Sequence, residues 1–578
     1  MPTYIRLTDY KSSDEKEKGF FDPKNRYEAK QEDFEKIPGS PIAYWVSDKN
    51  NKVFNKSIKL SDIDVPVIGI ASHNDDYFLK LWNEVDFEKI GLGFQNRASA
   101  KDSKYKWFPH NKGGTFRKWY GNNEYVVNYE NDGQEIKDFP KGQTKNEHKY
   151  FSKGMTWSRI SSSAFSVRFH SNGFIMGDAG PSAFAPDDKI LYILSCLNSK
   201  LTLENLLILN PTMNYQVGNI SNLPIIFSKD LTIKQKIDQL TQQNIDISKE
   251  EWDSRETSWD FTKNELLKHK QDSSLENALQ TYETYWSEQF KTLHTNEEEL
   301  NRLFIEIYEL KDELTPDVAL EDITILKNEA KIENGKLVFQ NKEIIKQFIS
   351  YGVGCMFGRY TLDQEGLVVA NQNQAIPTDT TFEIDDDNII PIVDESDYFS
   401  DDMTDRFTEF VRITFGSEKL QQNIAFIEAA LGKKLRAYFM KDFYVDHVKR
   451  YKKRPIYWLF SSPKATFQVL IYMHRYTPDT CNQILNDYLR PFRIRLDTMR
   501  EEALRITESE SVTTREKNES EKKIDKIDKT LDDINEYEKL LAHYAAQRIE
   551  IDLDDGVKVN YCKFKELLFE FDKKLCKK

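Results

Sequence analysis

Three groups of side chains in this sequence have the types and spacing to grip a polyanion. In the first, Lys112, Arg117 and Lys118 are interleaved with Gly113, Gly114, Trp119 and Tyr120. Lysine and arginine supply salt-dependent attraction to phosphates, and glycines let a backbone come close to one. Trp119 can stack on or wedge between bases, or it can fill a core. In the second group, Arg159 stands beside Ser161, Ser162 and Ser163, with Arg168 following in the apolar run 165–169. A guanidinium fork with hydroxyls suits guanine or phosphate, and it equally suits a turn that caps that run. Asn214 and Gln216 are of the type that reads adenine in the major groove, or that bonds the backbone ahead of Gly218-Asn219. In the third, Lys449, Arg450, Lys452, Lys453 and Arg454 precede Pro455-Ile456-Tyr457-Trp458. They can clamp a duplex backbone without reading bases, or they can end an exposed helix ahead of a buried strand.

Overall charge speaks against such a role, since 81 Lys and Arg face 95 Asp and Glu for a net −14. Local charge speaks for it. Residues 97–168 hold 14 basic and 7 acidic side chains, and residues 433–454 hold 9 and 2, a net +7 in each. Two such stretches in an acidic chain either aim one face at a polyanion or are solvated surface.

Other chemistries lack their signatures. No GxxxxGK[ST] phosphate loop is present, which excludes a P-loop ATPase or helicase. The glycines of YGVGCMFGRY (351–360) lack the spacing of a dinucleotide turn and read as a close helix–helix or turn position. Nine histidines include no HExxH, so no zinc centre is signalled. The acidic run 385–402 lacks the central glycine of a calcium loop and reads as a solvated connector. No nucleophile elbow is present. Five cysteines without a CxxC pair predict reduced thiols, not a disulfide scaffold. The first residues form no signal peptide, and no apolar run is long enough to cross a bilayer, which together predict a cytoplasmic chain with no membrane partner.

The elements that must position these residues follow from texture. A length of 578 residues implies about three to five domains, and aromatics at 13% argue against disorder. After a polar lead-in (1–35), residues 36–228 alternate short apolar runs with Gly, Asn, Asp and Pro, and helices are expected at about 75–85 and 187–208. This predicts an α+β domain. Residues 229–350 read as a helical connector, with Leu300, Leu303, Phe304, Ile307 and Tyr308 on one helix face. Residues 351–480 read as a mixed, mostly helical domain carrying the third basic group, with helical texture over about 401–475. In 481–578, Leu485, Leu489, Phe492, Leu496, Met499, Ala503 and Ile506 repeat as a heptad seam, as do Ile524, Ile527, Leu531, Ile534, Glu538, Leu541 and Ala545. Pro491 should start the first helix. The two seams predict an antiparallel helical hairpin, with an intermolecular coiled coil as the alternative.

Several blocks in collinear order carry a family likeness. WFPHNKGGTFRKWYGNNEYVVNYENDG (107–133), TWSRISSSAFSVRFHSNGFIMGDAGPSAF (156–184) and LNSKLTLENLLILNPTMNYQVGNISNLPI (197–225) are the most informative. IPGSPIAYWVS (37–47), SKEEWDSRETSWDF (248–261), GCMFGRYTLD (354–363), KRPIYWLF (453–460) and IDLDDGVKVNY (551–561) extend the match over about residues 35–565. These resemble the C-terminal half of the PglX-type adenine DNA methyltransferases of BREX phage defence. Members of that family resemble the methyltransferase-plus-recognition part of type IIG enzymes, and the run 197–225 is the part most similar to the target-recognition domains of type I specificity subunits.

The resemblance implies a target-recognition domain over 36–228, double-stranded DNA as partner, and a catalytic half in cis or trans. It makes other BREX proteins candidate partners and residues 1–35 the remnant of a missing catalytic half. It implies S-adenosylmethionine only with that half, because neither the glycine-rich cofactor turn nor an Asn-Pro-Pro-Tyr loop is among these residues. Asn210-Pro211-Thr212 lacks the second proline and the aromatic. ASHNDDYFLKLW (71–82) also departs from the relatives, which carry a glycine and a basic residue near His73 and Asp76 or Tyr77. No catalytic, cofactor or metal residue is assigned to the chain itself. The expectation is a chain that binds DNA without methylating it alone; the alternative is a docking protein of a defence complex that uses its hairpin.

Overall fold

The structure is a computed structural model that describes residues 2–35, 37–161, 163–210, 212–395, 398–572, 575 and 576. It is of the α+β class, as the sequence predicts. The strands that carry the site are β1 (Leu79–Leu81), β2 (Trp107–Asn111), β3 (Tyr125–Asn128), β4 (Gly154–Trp157), β5 (Val167–His170), β6 (Ile175–Met176) and β7 (Ser182–Ala183). One sheet has the order β1-β3-β2-β6, antiparallel except for the β2/β6 pair; a second has the order β7-β4-β5. Both β2 and β4 are buried along their whole length, so residues on either face of each strand meet protein. The helix expected at about 75–85 is a single turn (Asp75–Phe78) followed by β1, because Leu79 and Leu81 complete the sheet beside β3.

Met155, Trp157, Val167 and Ala183 face a core shared with α1 (Ile190–Asn198) and α2 (Lys200–Leu209). Asn198 closes the join: its amide both accepts from the Val167 N–H and donates to the Val167 carbonyl at 2.9 Å. The long helices α3 (Leu231–Asp253) and α4 (Leu275–Ile307) lie against this unit, with Leu300, Leu303 and Phe304 buried on the expected face. Residues 330–339, read as helical, form a β-hairpin between Ala330–Glu333 and Lys336–Phe339, which turns at Asn334-Gly335.

Beyond it come α5 (Asn341–Met356), β8 (Ile390–Pro391), α6 (Met403–Phe415), α7 (Leu420–Leu431), α8 (Tyr444–Arg450), β9 (Tyr457–Ser461) and β10 (Gln468–Tyr472). The glycines of 351–360 serve helix packing: a Cβ on Gly352 would sit 2.9 Å from the Phe407 ring on α6, and one on Gly354 would sit 2.7 Å from the Tyr360 ring. The sheet β8-β10-β9 interrupts the helical texture expected over 401–475. It also corrects the reading of 385–402 as a solvated connector, since Ile389, Ile390, Ile392 and Val393 are buried in or beside β8.

The hairpin is α9 (Arg490–Glu508) against α10 (Thr514–Gln547). Arg490 and Arg493 pair with Glu538, and Arg500 pairs with Asp528, which fixes the antiparallel register. Phe492, Leu496 and Ala503 meet Ile527, Ile534 and Leu541 in a buried seam within one chain. Pro491 does not begin a separate helix: helical backbone runs from Thr480 through the π-turn of 484–489 into α9, and that π-turn accommodates the missing N–H. The expectation of reduced thiols is also corrected. Cys562 and Cys576 are bonded, with Cα atoms 5.3 Å apart, whereas Cys196, Cys355 and Cys481 are buried free thiols. No helix among the described residues is long and apolar enough to cross a membrane.

Candidate nucleic-acid interface

Beyond the ends of β2 and β4 the loops 112–116, 158–164 and 210–217 meet. Gly113 has φ 90°, and a Cβ there would lie 2.9 Å from the Ala179 carbonyl, so its freedom serves contact with the protein's own backbone. Ser158 Oγ donates to the Gly114 carbonyl at 2.9 Å. The Tyr215 N–H donates to the Arg159 carbonyl at 2.7 Å, the Ser161 N–H to the Met213 carbonyl at 3.2 Å, and the Arg159 N–H to the Ala179 carbonyl at 3.0 Å. From below, the buried Trp157 Nε1 donates to the Tyr215 carbonyl at 2.8 Å. Three loops distant in sequence are thereby braced as one rim.

On this rim Gln216 is exposed, and its side-chain amide makes no hydrogen bond with a described residue. Asn214 is half-buried with an unpartnered Oδ1. Arg159 is a third exposed and pairs with Asp178 at 2.5 Å. Ser161 is half-buried, and its Oγ accepts from the Ser163 N–H; Ser162 lies outside the described residues. Lys112 is partly exposed, 2.9 Å from Asp75 and 4.7 Å above the Tyr125 ring.

The remaining members of the first two groups face inward. Arg117 is buried, its Nη2 donating to Glu251 Oε2 at 2.6 Å and to the Ser248 carbonyl at 2.9 Å. Lys118 Nζ and Trp119 Nε1 donate to the two carboxylate oxygens of buried Glu297 at 2.6 and 2.8 Å. Arg168 is 2% exposed, with Nε and Nη1 unpartnered; burial first, and then neighbouring Arg117, push it down to about 10. Arg117 and Lys118 thereby tie the sheet unit to α3 and α4 and turn their own charge away from its surface.

The third group is dispersed by its partners. Arg450 donates to Glu256 at 2.8 Å, Lys453 to Asp572 at 2.9 Å, and Lys452 pairs with Glu124. Arg454 lies 3.7 Å from Asp76 and 3.5 Å from Glu84. Lys449 is exposed with no ion pair to a described residue. Lys452 and Lys453 both take left-handed φ, 51° and 62°, where the Lys453 N–H closes α8 on the Val448 carbonyl at 2.8 Å.

Sequence reasoning missed the hub that fixes the rim's scaffold on the rest of the chain. Arg359, wholly buried, donates to the Tyr472 hydroxyl at 2.9 Å and lies 5.3 Å from the Trp82 ring. Trp82 in turn donates to the Thr257 carbonyl at 2.8 Å, next to the Glu256 that holds Arg450. The blocks 248–261, 354–363 and 453–460, quoted above for their likeness, converge here. Their collinear persistence was the available signal.

No protein-family profile matches the chain. Two curated proteins do. The adenine-specific methyltransferase PglX of Lacticaseibacillus casei (strain Zhang) is 38% identical over 97% of this chain and 48% of its own length. The adenine-specific methyltransferase BrxX of Escherichia coli O9:H4 (strain HS) is 35% identical over 98% of this chain and 48% of its own length. The chain is a homologue of the C-terminal part of these BREX adenine methyltransferases. It spans about half the length of the PglX and BrxX relatives it matches.

The residues nearest in type to a methyltransferase's cofactor and target-amine loops do not fit that use. Asn210 spends its amide on its own turn, with Nδ2 donating to the Asn214 carbonyl and Oδ1 accepting from Thr212, each at 2.7 Å. Pro211 lies outside the described residues. The glycines of 351–356 are locked inside α5. No step of methyl transfer is therefore assigned to residues of this chain. Asp385, Asp386 and Asp387 bring carboxylate oxygens within 4.8 Å of one another. Burial first, and then Asp387, push Asp385 up to about 8, which favours a proton there.

Proposed function

We propose that this chain is the DNA-recognising part of a BREX-type, PglX-like site-specific adenine methyltransferase acting in host-DNA modification and phage defence in the cytoplasm. The observation that carries the reading is the braced rim built from loops 112–116, 158–164 and 210–217, which presents Gln216, Arg159, Ser161 and Lys112 together, with half-buried Asn214 beside them and its Oδ1 covered. An amide with free donors and acceptors can pair with adenine in the major groove, and a guanidinium can pair with guanine or phosphate. Lys112 and Arg159 already hold single carboxylates, so phosphates would exchange for Asp75 and Asp178 and not meet bare charge. Lys449, Arg450, Lys453 and Arg454 contribute mainly through exposed Lys449, because the other three are engaged in pairs. Methyl transfer, and S-adenosylmethionine with it, belong in this reading to a catalytic half in cis or trans, and other BREX proteins are further partners.

The docking alternative, in which the outer faces of the hairpin would engage other components of a defence complex, is favoured instead if charge reversal at Lys112 and Arg159 leaves the protein's defence activity intact. Selection of random duplexes on the purified chain at two salt concentrations tests the proposal. Enrichment of one short motif at both salts is expected. No retention at either salt would overturn it.

A further inference from the structure

Arg159 is tethered twice to the turn 177–180. Its own N–H donates to the Ala179 carbonyl at 3.0 Å, and its Nη1 lies 2.5 Å from Asp178 Oδ1. That turn is pinned on the end of β2: the Gly177 N–H donates to the Asn111 carbonyl at 3.0 Å, and a Cβ on Gly180 would collide with the same carbonyl. The Asp178 N–H donates to the Ile70 carbonyl at 2.9 Å. On its other side the Arg159 carbonyl accepts from the Tyr215 N–H at 2.7 Å. A carboxylate on a fixed turn therefore sets the direction of a guanidinium whose backbone is held through both its N–H and its carbonyl.

The atom that Asp178 engages decides what remains. With Nη1 taken, Nε and Nη2 make no hydrogen bond with a described residue, on a side chain that is a third exposed. These two nitrogens form the side-on edge of the fork, a pair of parallel N–H donors. Two parallel donors match two adjacent acceptors. In the major groove guanine alone presents them, as N7 and O6; adenine sets an acceptor beside a donor, and thymine and cytosine offer one polar group each. A phosphate also has two acceptor oxygens, but it would bring its charge beside the Asp178 carboxylate, which already offsets the pull of Arg159. A neutral base edge meets no such repulsion. We propose that Asp178 is a positioning residue that aims Arg159 at the N7 and O6 of one guanine, so that the pair determines one base of the recognised sequence. This rests on the DNA-recognition reading above and names a base within it.

The test runs the duplex selection on the full chain and, in parallel, on Asp178→Ala. The unaltered chain is expected to enrich a motif with one position held to guanine, and 7-deazaguanine there, which lacks the N7 acceptor, should weaken retention about tenfold. In Asp178→Ala that position should relax to any base and lose its sensitivity to 7-deazaguanine. Retention of mixed duplexes by the variant should become steeper in salt by about one phosphate contact, because Arg159 is then free to meet a phosphate. Thermal unfolding should be nearly unchanged, since the pair is partly exposed. A motif that tolerates 7-deazaguanine at every guanine, or one that Asp178→Ala leaves unaltered, would overturn the guanine contact and leave the DNA reading standing. Retention with no enriched position would overturn it as well. Failure of the unaltered chain to retain any duplex would overturn both readings.

Discussion

The guanidinium of Arg117 lies 2.6 Å from Glu251 Oε2, and both side chains are buried although 134 residues separate them. Glu251 also accepts from Arg255, which pairs with Glu329 at 2.8 Å, so the contact belongs to a buried chain of alternating charges. It converts what looks like a phosphate-gripping arginine into a strut between the sheet unit and α3.

Removing one side of this strut should be costly. Arg117→Ala leaves Glu251 with less compensation and is expected to lower stability by about 3–5 kcal/mol. Arg159→Ala breaks a half-exposed pair and is expected to cost about 0–1 kcal/mol, while weakening duplex retention. Denaturant unfolding and filter retention of the two variants separate the roles. Equal stability losses would contradict the division of the arginines into strut and rim.

Stability should depend on pH through Asp385. Its carboxyl, raised to about 8 by burial and then Asp387, holds in the folded chain a proton that the unfolded chain releases near about 4. Burial also raises Asp387 and Asp401. A raised folded value means that the stabilisation is complete in acid below about 4 and is lost as pH rises through about 8. Asp385→Asn keeps an acceptor for the Ile389 N–H, which now donates to Oδ1 at 3.0 Å. Urea midpoints should fall less with rising pH in the variant, with a gain of at least about 1 kcal/mol at the alkaline end.

The bond between Cys562 and Cys576 closes the loop that carries the C-terminal tail. Within it the Phe569 N–H donates to the Leu459 carbonyl at 2.8 Å, and the Ser461 N–H donates to the Leu567 carbonyl at 2.9 Å, so the tail covers the open edge of β9. A loop of this length contributes about 3 kcal/mol by the chain-entropy account. Cys562→Ser, Cys576→Ser should leave the fold intact and raise amide exchange at Ser461 and Phe569, the two donors of this contact. Unchanged exchange there would show that the tail needs no clasp.

The hairpin predicts opposite outcomes on its two faces. Leu541 is fully buried in the seam, and Leu541→Ala should cost about 2–5 kcal/mol. Ile494 is exposed on α9, and Ile494→Ala should change stability by no more than about 0.5 kcal/mol. Thermal unfolding of both variants decides between a self-filled seam and an interface with a second chain, in which Ile494 would matter.

The sequence by itself determined the features that depend on local period. The heptads of 485–506 and 524–545 specified two apolar stripes, and stripes of matching length must bury one another. Strand-and-turn punctuation likewise revealed the α+β region, and the collinear blocks revealed the kinship. Tertiary structure alone decided which cations face solvent. A net +7 over 97–168 is a sum along the chain, whereas electrostatic free energy depends on distance and burial in space. Glu251 and Glu297 lie far beyond that stretch, yet they meet Arg117 and Lys118 within hydrogen-bonding distance. For the same reason Lys112, Arg159, Asn214 and Gln216, up to 104 positions apart, share one rim through backbone bonds between loops that no local pattern records.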